Sequence, residues 1–172
     1  PGCSLVLHSR ILRDDLVAAV GALSQRCAFK PHPAIAQDDL VAAVRALPSG
    51  ACFTPESIIA QGDLVAAVRN LAPECYFIPH PAIAQADVVK AMSFLPRGRT
   101  FKPHPAITKE DLLAETRALM AGCCFTPDSR IAKRYVHDAV GALRPGVCLV
   151  PDLVTAQDDL KDLVRALPLG RT

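Results

Sequence analysis

Histidines and carboxylates recur at one position of this sequence at intervals of 24 residues. In every copy but the first the position follows a proline, and it holds His8, His32, Glu56, His80, His104, Asp128 and Asp152. If the segments that carry these residues lie side by side as parallel strands, their side chains line up at steps of about 4.8 Å. Imidazoles and carboxylates at that spacing could bind zinc, with Glu56, His80, His104 and Asp128 as candidate ligands. A polar residue between prolines is more commonly solvated or bonded to adjacent backbone, so we expect no metal.

The seven cysteines are an odd number, and none of them forms a C-x-x-C pair. This usage favours the cytoplasm or another reducing compartment, including one that the protein reaches after secretion. Cys124 and Cys148 occupy the same position of successive copies. If their strands are neighbours, the Cα atoms should lie within the disulfide range of about 4.4 to 6.8 Å, and an oxidising environment could bridge them.

A cysteine nucleophile would need a base within hydrogen-bond reach. Cys124 and His104 would stand at opposite ends of neighbouring strands about four residues long, which separates them by roughly 13 Å. The sequence contains no P-loop, G-x-G-x-x-G, G-x-S-x-G or H-E-x-x-H motif. We therefore expect no enzymatic activity and no cofactor.

These residues belong to a 24-residue sequence repeat that occurs seven times. Its consensus is roughly C-x-F-x-P-H-P-A-I-A-Q-D-D-L-V-A-A-V-R-A-L-P-x-G. The copies begin at residues 3, 27, 51, 75, 99, 123 and 147. Each unit can bury its apolar face only against its neighbours. We expect residues 1–172 to form a single repeat domain that is a fragment of a longer array. Uncovered end copies would allow end-to-end self-association.

Each copy contains one predicted amphipathic helix. In the fifth copy Ile107, Leu112, Thr116 and Leu119 form the apolar stripe. Thr108 and Asp111 fit a capping box, in which Asp111 reaches back to the amide of the N-cap residue. The helix should run for about eleven residues and stop at a leucine that proline and glycine follow.

A short β-prone segment precedes each helix and predicts a four-residue strand. These segments are Cys3 to Val6, Cys27 to Lys30, Ala51 to Thr54, Cys75 to Ile78, Arg99 to Lys102, Cys123 to Thr126 and Val147 to Val150. A strand followed by a helical crossover to a parallel strand predicts an α/β protein, a right-handed βα solenoid with strands inside and helices outside. In repeat length and layering the chain resembles the leucine-rich-repeat superfamily, although the consensus asparagine has no counterpart. The resemblance implies a horseshoe-like solenoid.

An all-α solenoid of two short helices per copy is the alternative. Thr54-Pro55-Glu56-Ser57 and Thr126-Pro127-Asp128-Ser129 read as helix starts, with threonine as N-cap and proline at the first helical position. In that case the chain would resemble the leucine-rich-variant repeats. The Cys-x-Phe segments favour the βα form, because they are strongly β-prone.

Strand positions alternate between uniform and variable residue types. The column of Leu5, Phe29, Phe53, Phe77, Phe101, Phe125 and Leu149 is uniformly apolar, so it should face the helices. Its cysteine-rich partner column should face inward too, although Arg99 does not fit there. The columns between them vary and are free to contact a ligand. We predict a scaffold that binds another protein through Lys30, Thr54, Tyr76, Ile78, Lys102, Thr126 and Val150.

Charge and hydropathy give no sign of a membrane or of nucleic acid. The formal charge is +2, and acidic and basic residues are interleaved. No apolar run approaches the roughly 18 residues that a bilayer span needs. Arginines recur on the predicted helices at Arg45, Arg69, Arg117 and Arg165 and could form a nucleic-acid-binding ridge, but a solvated, ion-paired face is the more economical expectation. The bias toward alanine, arginine and proline suggests a segment of a larger bacterial or secreted effector-like protein.

Overall fold

The computed structural model describes residues 4–6, 11–151 and 157–167. The strands within these ranges are β1 (Ser4–Val6), β2 (Ala28–Lys30), β3 (Cys52–Phe53), β4 (Tyr76–Phe77), β5 (Thr100–Phe101), β6 (Cys124–Phe125) and β7 (Cys148–Leu149). The helices that alternate with them are α1 (Arg13–Gly21), α2 (Gln37–Arg45), α3 (Gln61–Arg69), α4 (Gln85–Met92), α5 (Lys109–Ala118), α6 (Lys133–Gly141) and α7 (Gln157–Ala166). The predicted α/β class is confirmed.

The strands form one parallel sheet in chain order, from β1 to β7. Each strand pairs with the residues 24 positions further on, as in Phe53 with Phe77. The ladder of hydrogen bonds continues beyond the assigned strands: the Thr54 N–H donates to the carbonyl oxygen of Phe29 at 3.0 Å, and the Thr126 N–H to that of Phe101 at 2.9 Å. The all-α alternative is therefore wrong, because the residues predicted to start second helices extend the sheet.

The helices are eight to ten residues long in the described part of the chain and end before the predicted leucine. The predicted cap of α5 is present: the Asp111 N–H donates to Thr108 Oγ1 at 3.1 Å. The acid does not reach back to the N-cap amide, since its Oδ2 atom accepts the Thr108 hydroxyl at 2.8 Å instead. Elsewhere alanine or leucine stands at the cap, and acidic residues in the first turn offset the positive end of most helices.

A ladder of phenylalanines forms the core between the sheet and the helices. Phe29, Phe53, Phe77, Phe101 and Phe125 are all fully buried. The ring centroids of consecutive members lie 6.1 to 6.4 Å apart, within the range of favourable aromatic pairs. The prediction that this column faces the helices is confirmed. Each copy thus shields the ring of the next, as the repeat requires.

The cysteine-rich column also faces inward, and the position of Arg99 in it is explained by hydrogen bonds. Arg99 donates from Nε and Nη2 to the carbonyl oxygen of Leu71, at 3.0 and 2.8 Å, just beyond the end of α3. At equivalent positions the Cys75 thiol lies 3.3 Å from the Pro48 oxygen and the Cys123 thiol 3.4 Å from the Leu95 oxygen. This column therefore supplies donors to the carbonyl groups that a helix end leaves unpaired.

The turns between helix and strand require a left-handed backbone. The torsion angle φ is +80° at Gly50, +75° at Gly98, +88° at Gly122 and +82° at Gly146. Glycine adopts this conformation at no steric cost. In two copies the same position holds Arg26, with φ at +67°, and Glu74, with φ at +57°. These two turns store strain that the glycine turns avoid.

Among the residues that the structure describes, no helix has both the length and the apolar character that crossing a bilayer requires. The extreme ends of the chain, on which the predicted end-to-end contacts would depend, lie outside the described residues.

Candidate functional site

The sheet face that points away from the helices carries the predicted partner contacts. We call it the strand face and define it by Lys30, Thr54, Tyr76, Ile78, Lys102, Thr126 and Val150, with Cys52, Thr100, Cys124 and Cys148 beside them. Most of these side chains are partly exposed, and Val150 is 40% exposed. Thr126 is only 5% exposed, so it offers a partner little surface. Tyr76 and Ile78 lie on one strand segment near the middle of the sheet.

A charged cluster borders the strand face at the fifth and sixth copies. Asp128 is almost fully buried, and its carboxylate accepts hydrogen bonds from Nε and Nη2 of Arg130 at 2.9 and 3.0 Å. Lys102 Nζ lies 3.8 Å from Asp128 Oδ2. Burial alone would raise the pKa of the Asp128 carboxyl, but the bonds from Arg130 and the charge of Lys102 hold it below its usual value. The cluster places a carboxylate close to Lys102 on the strand face.

The histidine and acid column stands at the start of a turn in the second to sixth copies. Nδ1 of His32, His80 and His104 accepts the backbone N–H two residues later, at 3.1 to 3.2 Å, and Asp128 Oδ1 does the same for Arg130. His80 and His104 do stack as expected, with ring centroids 6.3 Å apart. Within the described ranges no three potential ligands converge. Glu56 stands at the same turn, whereas His8 and Asp152 lie outside the described residues.

The surroundings of the His104 ring favour its neutral form, because they lower its pKa. Burial is the largest cause that lowers its pKa, followed by the charges of His80 and Arg130, while Asp128 opposes the shift. With Nδ1 bonded to backbone, the free Nε2 atom carries the proton of the neutral imidazole. His104 can therefore donate a hydrogen bond at neutral pH.

Cys124 and Cys148 are neighbours in the sheet, as the sequence predicted. Both are free thiols, and the side chain of Cys124 is hydrogen-bonded to those of Cys148 and Thr100. Burial raises the pKa of the Cys124 thiol, and Cys148 raises it further. Burial also raises the pKa of Cys75 to about 11, so neither thiol is activated as a nucleophile. Cys27, in contrast, is disulfide-bonded.

The predicted arginine ridge lies on the exposed side of the helices. Arg45 donates from Nε and Nη2 to Asn70 Oδ1 at 3.1 and 2.6 Å, so it is engaged with the next copy. Arg165 lies 3.6 Å from Asp162 on its own helix. Arg69 and Arg117 are exposed. Interactions of this kind are typical of a solvated helix face.

A cleft that the sequence did not predict lies at the carboxyl edge of the sheet, between the fourth and fifth copies. We call it the Glu115 cleft, and it is lined by Pro79, His80, Ile83, Gln85, Val88, His104, Ile107, Thr108, Asp111 and Glu115. Its volume is about 50 Å³. Glu115 is 4% exposed, and its Oε2 atom is buried with no hydrogen-bond partner among the described residues. Burial, and then the charge of Asp111, raise the pKa of the Glu115 carboxyl to about 8.

A sequence signal for this cleft was available in the repeat alignment. The position of Glu115 holds alanine in five other copies and leucine in the last, namely Ala19, Ala43, Ala67, Ala91, Ala139 and Leu163. The next position, Thr116, replaces valine or methionine. Two adjacent polar residues in otherwise apolar columns mark the fifth copy. The predicted stripe of this helix included Thr116 but not Glu115, because a stripe is defined by the positions that repeat and not by the copy that departs from them.

No protein-family model matches the chain, and no curated protein matches it. A solved structure with a similar arrangement is that of mandelate racemase/muconate lactonizing enzyme from Bordetella bronchiseptica RB50. Sequence identity is 16%, and the match covers 97% of this chain and 50% of that chain, with a TM-score of 0.44. The chain thus spans half the length of that protein.

This comparison corrects one expectation. The similar structure is that of an enzyme, which contradicts the prediction of a chain without enzymatic activity, and that prediction is withdrawn. A TM-score of 0.44 carries no argument for a particular reaction or substrate.

Proposed function

We propose that the chain is a right-handed, leucine-rich-repeat-like βα solenoid that binds another protein on its strand face. The parallel register and the helix between each pair of strands support this architecture, because such crossovers are right-handed in nearly all proteins. Within the described residues β1 pairs with β2 and β7 with β6, which is the pattern of an open sheet with two edges.

The single observation that carries the binding proposal is a parallel sheet with one open face. Sheets built only of parallel strands are normally covered on both faces. Here the phenylalanine ladder and the helices cover one face, while Tyr76, Ile78 and Val150 on the other remain partly exposed. The residue types on the covered face are uniform and those on the open face vary, as expected where a repeat array recognises a partner. The open face is therefore the best candidate for an interface.

The chemistry of the strand face favours a partner surface with an apolar centre and acidic flanks. Tyr76 and Ile78 supply the centre, and an aromatic ring is a preferred anchor in interfaces. Lys30 belongs to the second copy, two strands before Tyr76 and Ile78 in the sheet, and Lys102 belongs to the fifth copy, one strand after them. The two lysines therefore lie on either side of the apolar centre. Carboxylates on the partner would complement these lysines and speed association.

The test replaces the centre and one flank together. The variant Tyr76→Ala with Lys102→Ala should bind the partner at least tenfold more weakly, because it loses an aromatic anchor and a charge. Arg69→Ala with Arg117→Ala, on the helix face, is the matched control and should leave affinity unchanged. The partner is first identified by cross-linking from the strand face followed by mass spectrometry, and its affinity is then measured with purified protein. Equal binding by the strand-face variant and the unmodified chain would count against this face.

A further inference from the structure

Polar side chains from the fourth and fifth copies line the Glu115 cleft. Glu115 comes from the middle of α5, Asp111 and Thr108 from its first turn and cap, and His104 from the preceding turn. His80 and Gln85 line the side contributed by the fourth copy. A volume of about 50 Å³ holds roughly three water molecules. The cleft is thus large enough for a small polar group but not for a whole metabolite.

The carboxyl groups of Asp111 and Glu115 line the cleft, and no lysine or arginine lines it. The pKa of His104 is lowered by burial, and α4 contributes only Gln85 and Val88, neither of which titrates. A buried carboxyl that finds no partner costs free energy unless a ligand supplies one. The missing partner of the ionised carboxylate is therefore a cation or a hydrogen-bond donor.

The corresponding cleft between the second and third copies provides an internal comparison. There His32, Glu56 and Asp63 occupy the positions of His80, His104 and Asp111, and the volume is only about 10 Å³. Ala67 stands where the fifth copy has Glu115. The larger cleft and the buried acid therefore occur together in one copy and are absent from its counterpart.

We propose that the Glu115 cleft binds an alkylammonium group, with Glu115 and Asp111 as the negative partners and His104, Thr108 and Gln85 around it. An ammonium group donates three hydrogen bonds, which suits several oxygen acceptors at once. A divalent metal is less suitable, since no three histidine, cysteine or acidic side chains in the described residues are arranged to hold one. This site is independent of the strand face and does not rest on the protein-binding proposal.

The test compares a cation with its neutral counterpart. Propylammonium and 1-propanol are titrated into the full chain at pH 7 by isothermal titration calorimetry, and propylammonium should bind at least tenfold more tightly. Because Glu115 is mostly protonated at this pH, binding should release about one proton per ligand, which is seen by repeating the titration in buffers of different ionisation enthalpy.

Variants assign the effect to the cleft. Glu115→Gln and Glu115→Ala should each weaken propylammonium binding at least tenfold and abolish the proton release. Asp63→Asn, in the counterpart cleft, is the matched control and should bind as the unmodified chain does. Equal binding of 1-propanol, full binding by both Glu115 variants, or tighter binding of Zn²⁺ than of propylammonium would each overturn the proposal.

Two further probes distinguish the source of the ammonium group. Nα-acetyl-lysine amide presents a side-chain amine, and glycinamide presents a backbone terminal amine. Tighter binding of the first would support recognition of a lysine side chain, and tighter binding of the second would support recognition of a chain terminus. Binding of neither, with no binding of propylammonium, would refute the site.

Discussion

Burial of the Glu115 carboxyl predicts that the free energy of unfolding depends on pH. Its pKa is about 8 in the folded chain, against an ordinary value of 4.5. Between these two pH values the folded chain holds a proton that the unfolded chain has lost, so the free energy of unfolding falls as pH rises through this window. At about 1.4 kcal/mol for each pKa unit, the whole loss is of order 5 kcal/mol.

Replacing Glu115 with alanine, which the equivalent position has in five copies, removes this pH dependence. We expect the stability gained by Glu115→Ala to be small near pH 4 and to grow by several kcal/mol, at most roughly 5, by pH 9. Urea unfolding of both proteins, followed by circular dichroism at steps of one pH unit, measures the difference directly.

Two controls separate titration of Glu115 from other effects of the substitution. Glu115→Gln keeps the size of the side chain and cannot ionise, so its stability should follow the same pH course as that of the alanine variant. Glu110→Ala removes an exposed carboxylate from the same helix and so controls for the loss of a carboxylate that is not buried. A gain from Glu115→Ala that is the same at pH 4 and pH 9 would refute the reasoning, because it would mean that the carboxyl titrates alike in both states.

Three further predictions concern the turns, the core and the cysteines. Arg26→Gly should raise the free energy of unfolding by about 1 kcal/mol, because it relieves a left-handed backbone, and thermal unfolding checks it. Phe77→Ala should lower it by roughly 3 to 5 kcal/mol, measured in urea, since the ring is fully buried between two others. Mild oxidation should bridge Cys124 to Cys148, detected by mass spectrometry and lost in Cys148→Ser, while Cys52 stays a free thiol.

Much of the architecture followed from periodicity in the sequence. The 24-residue repeat predicted a strand and a helix in each copy, and the uniform phenylalanine column identified the face of the sheet that forms the core. These inferences succeed because an apolar column repeated at a fixed interval can be buried only by stacking the copies in register. The same logic brought Cys124 beside Cys148 and His80 beside His104.

The finer structure depended on contacts that no single copy encodes. Arg99 is accommodated in a column of small and apolar residues because it donates to the carbonyl oxygen of Leu71, 28 residues earlier in the chain. Thr54 and Thr126 carry local signals for helix starts, but pairing with the neighbouring strand overrides them. Local helix propensity contributes less to the free energy of folding than a hydrogen-bonded ladder between neighbouring strands.

The repeat, the alternation of strand and helix, and the columns that build the core can all be read from the amino-acid order. The burial of Glu115 Oε2 without a hydrogen-bond partner among the described residues, the effect of Asp111 on the pKa of Glu115, and the cleft beside both emerge only when the copies are packed together. This division arises because a repeat pattern reports what all copies share. Solvation, charge balance and cavity volume at one copy depend instead on the particular neighbours that the fold brings against it.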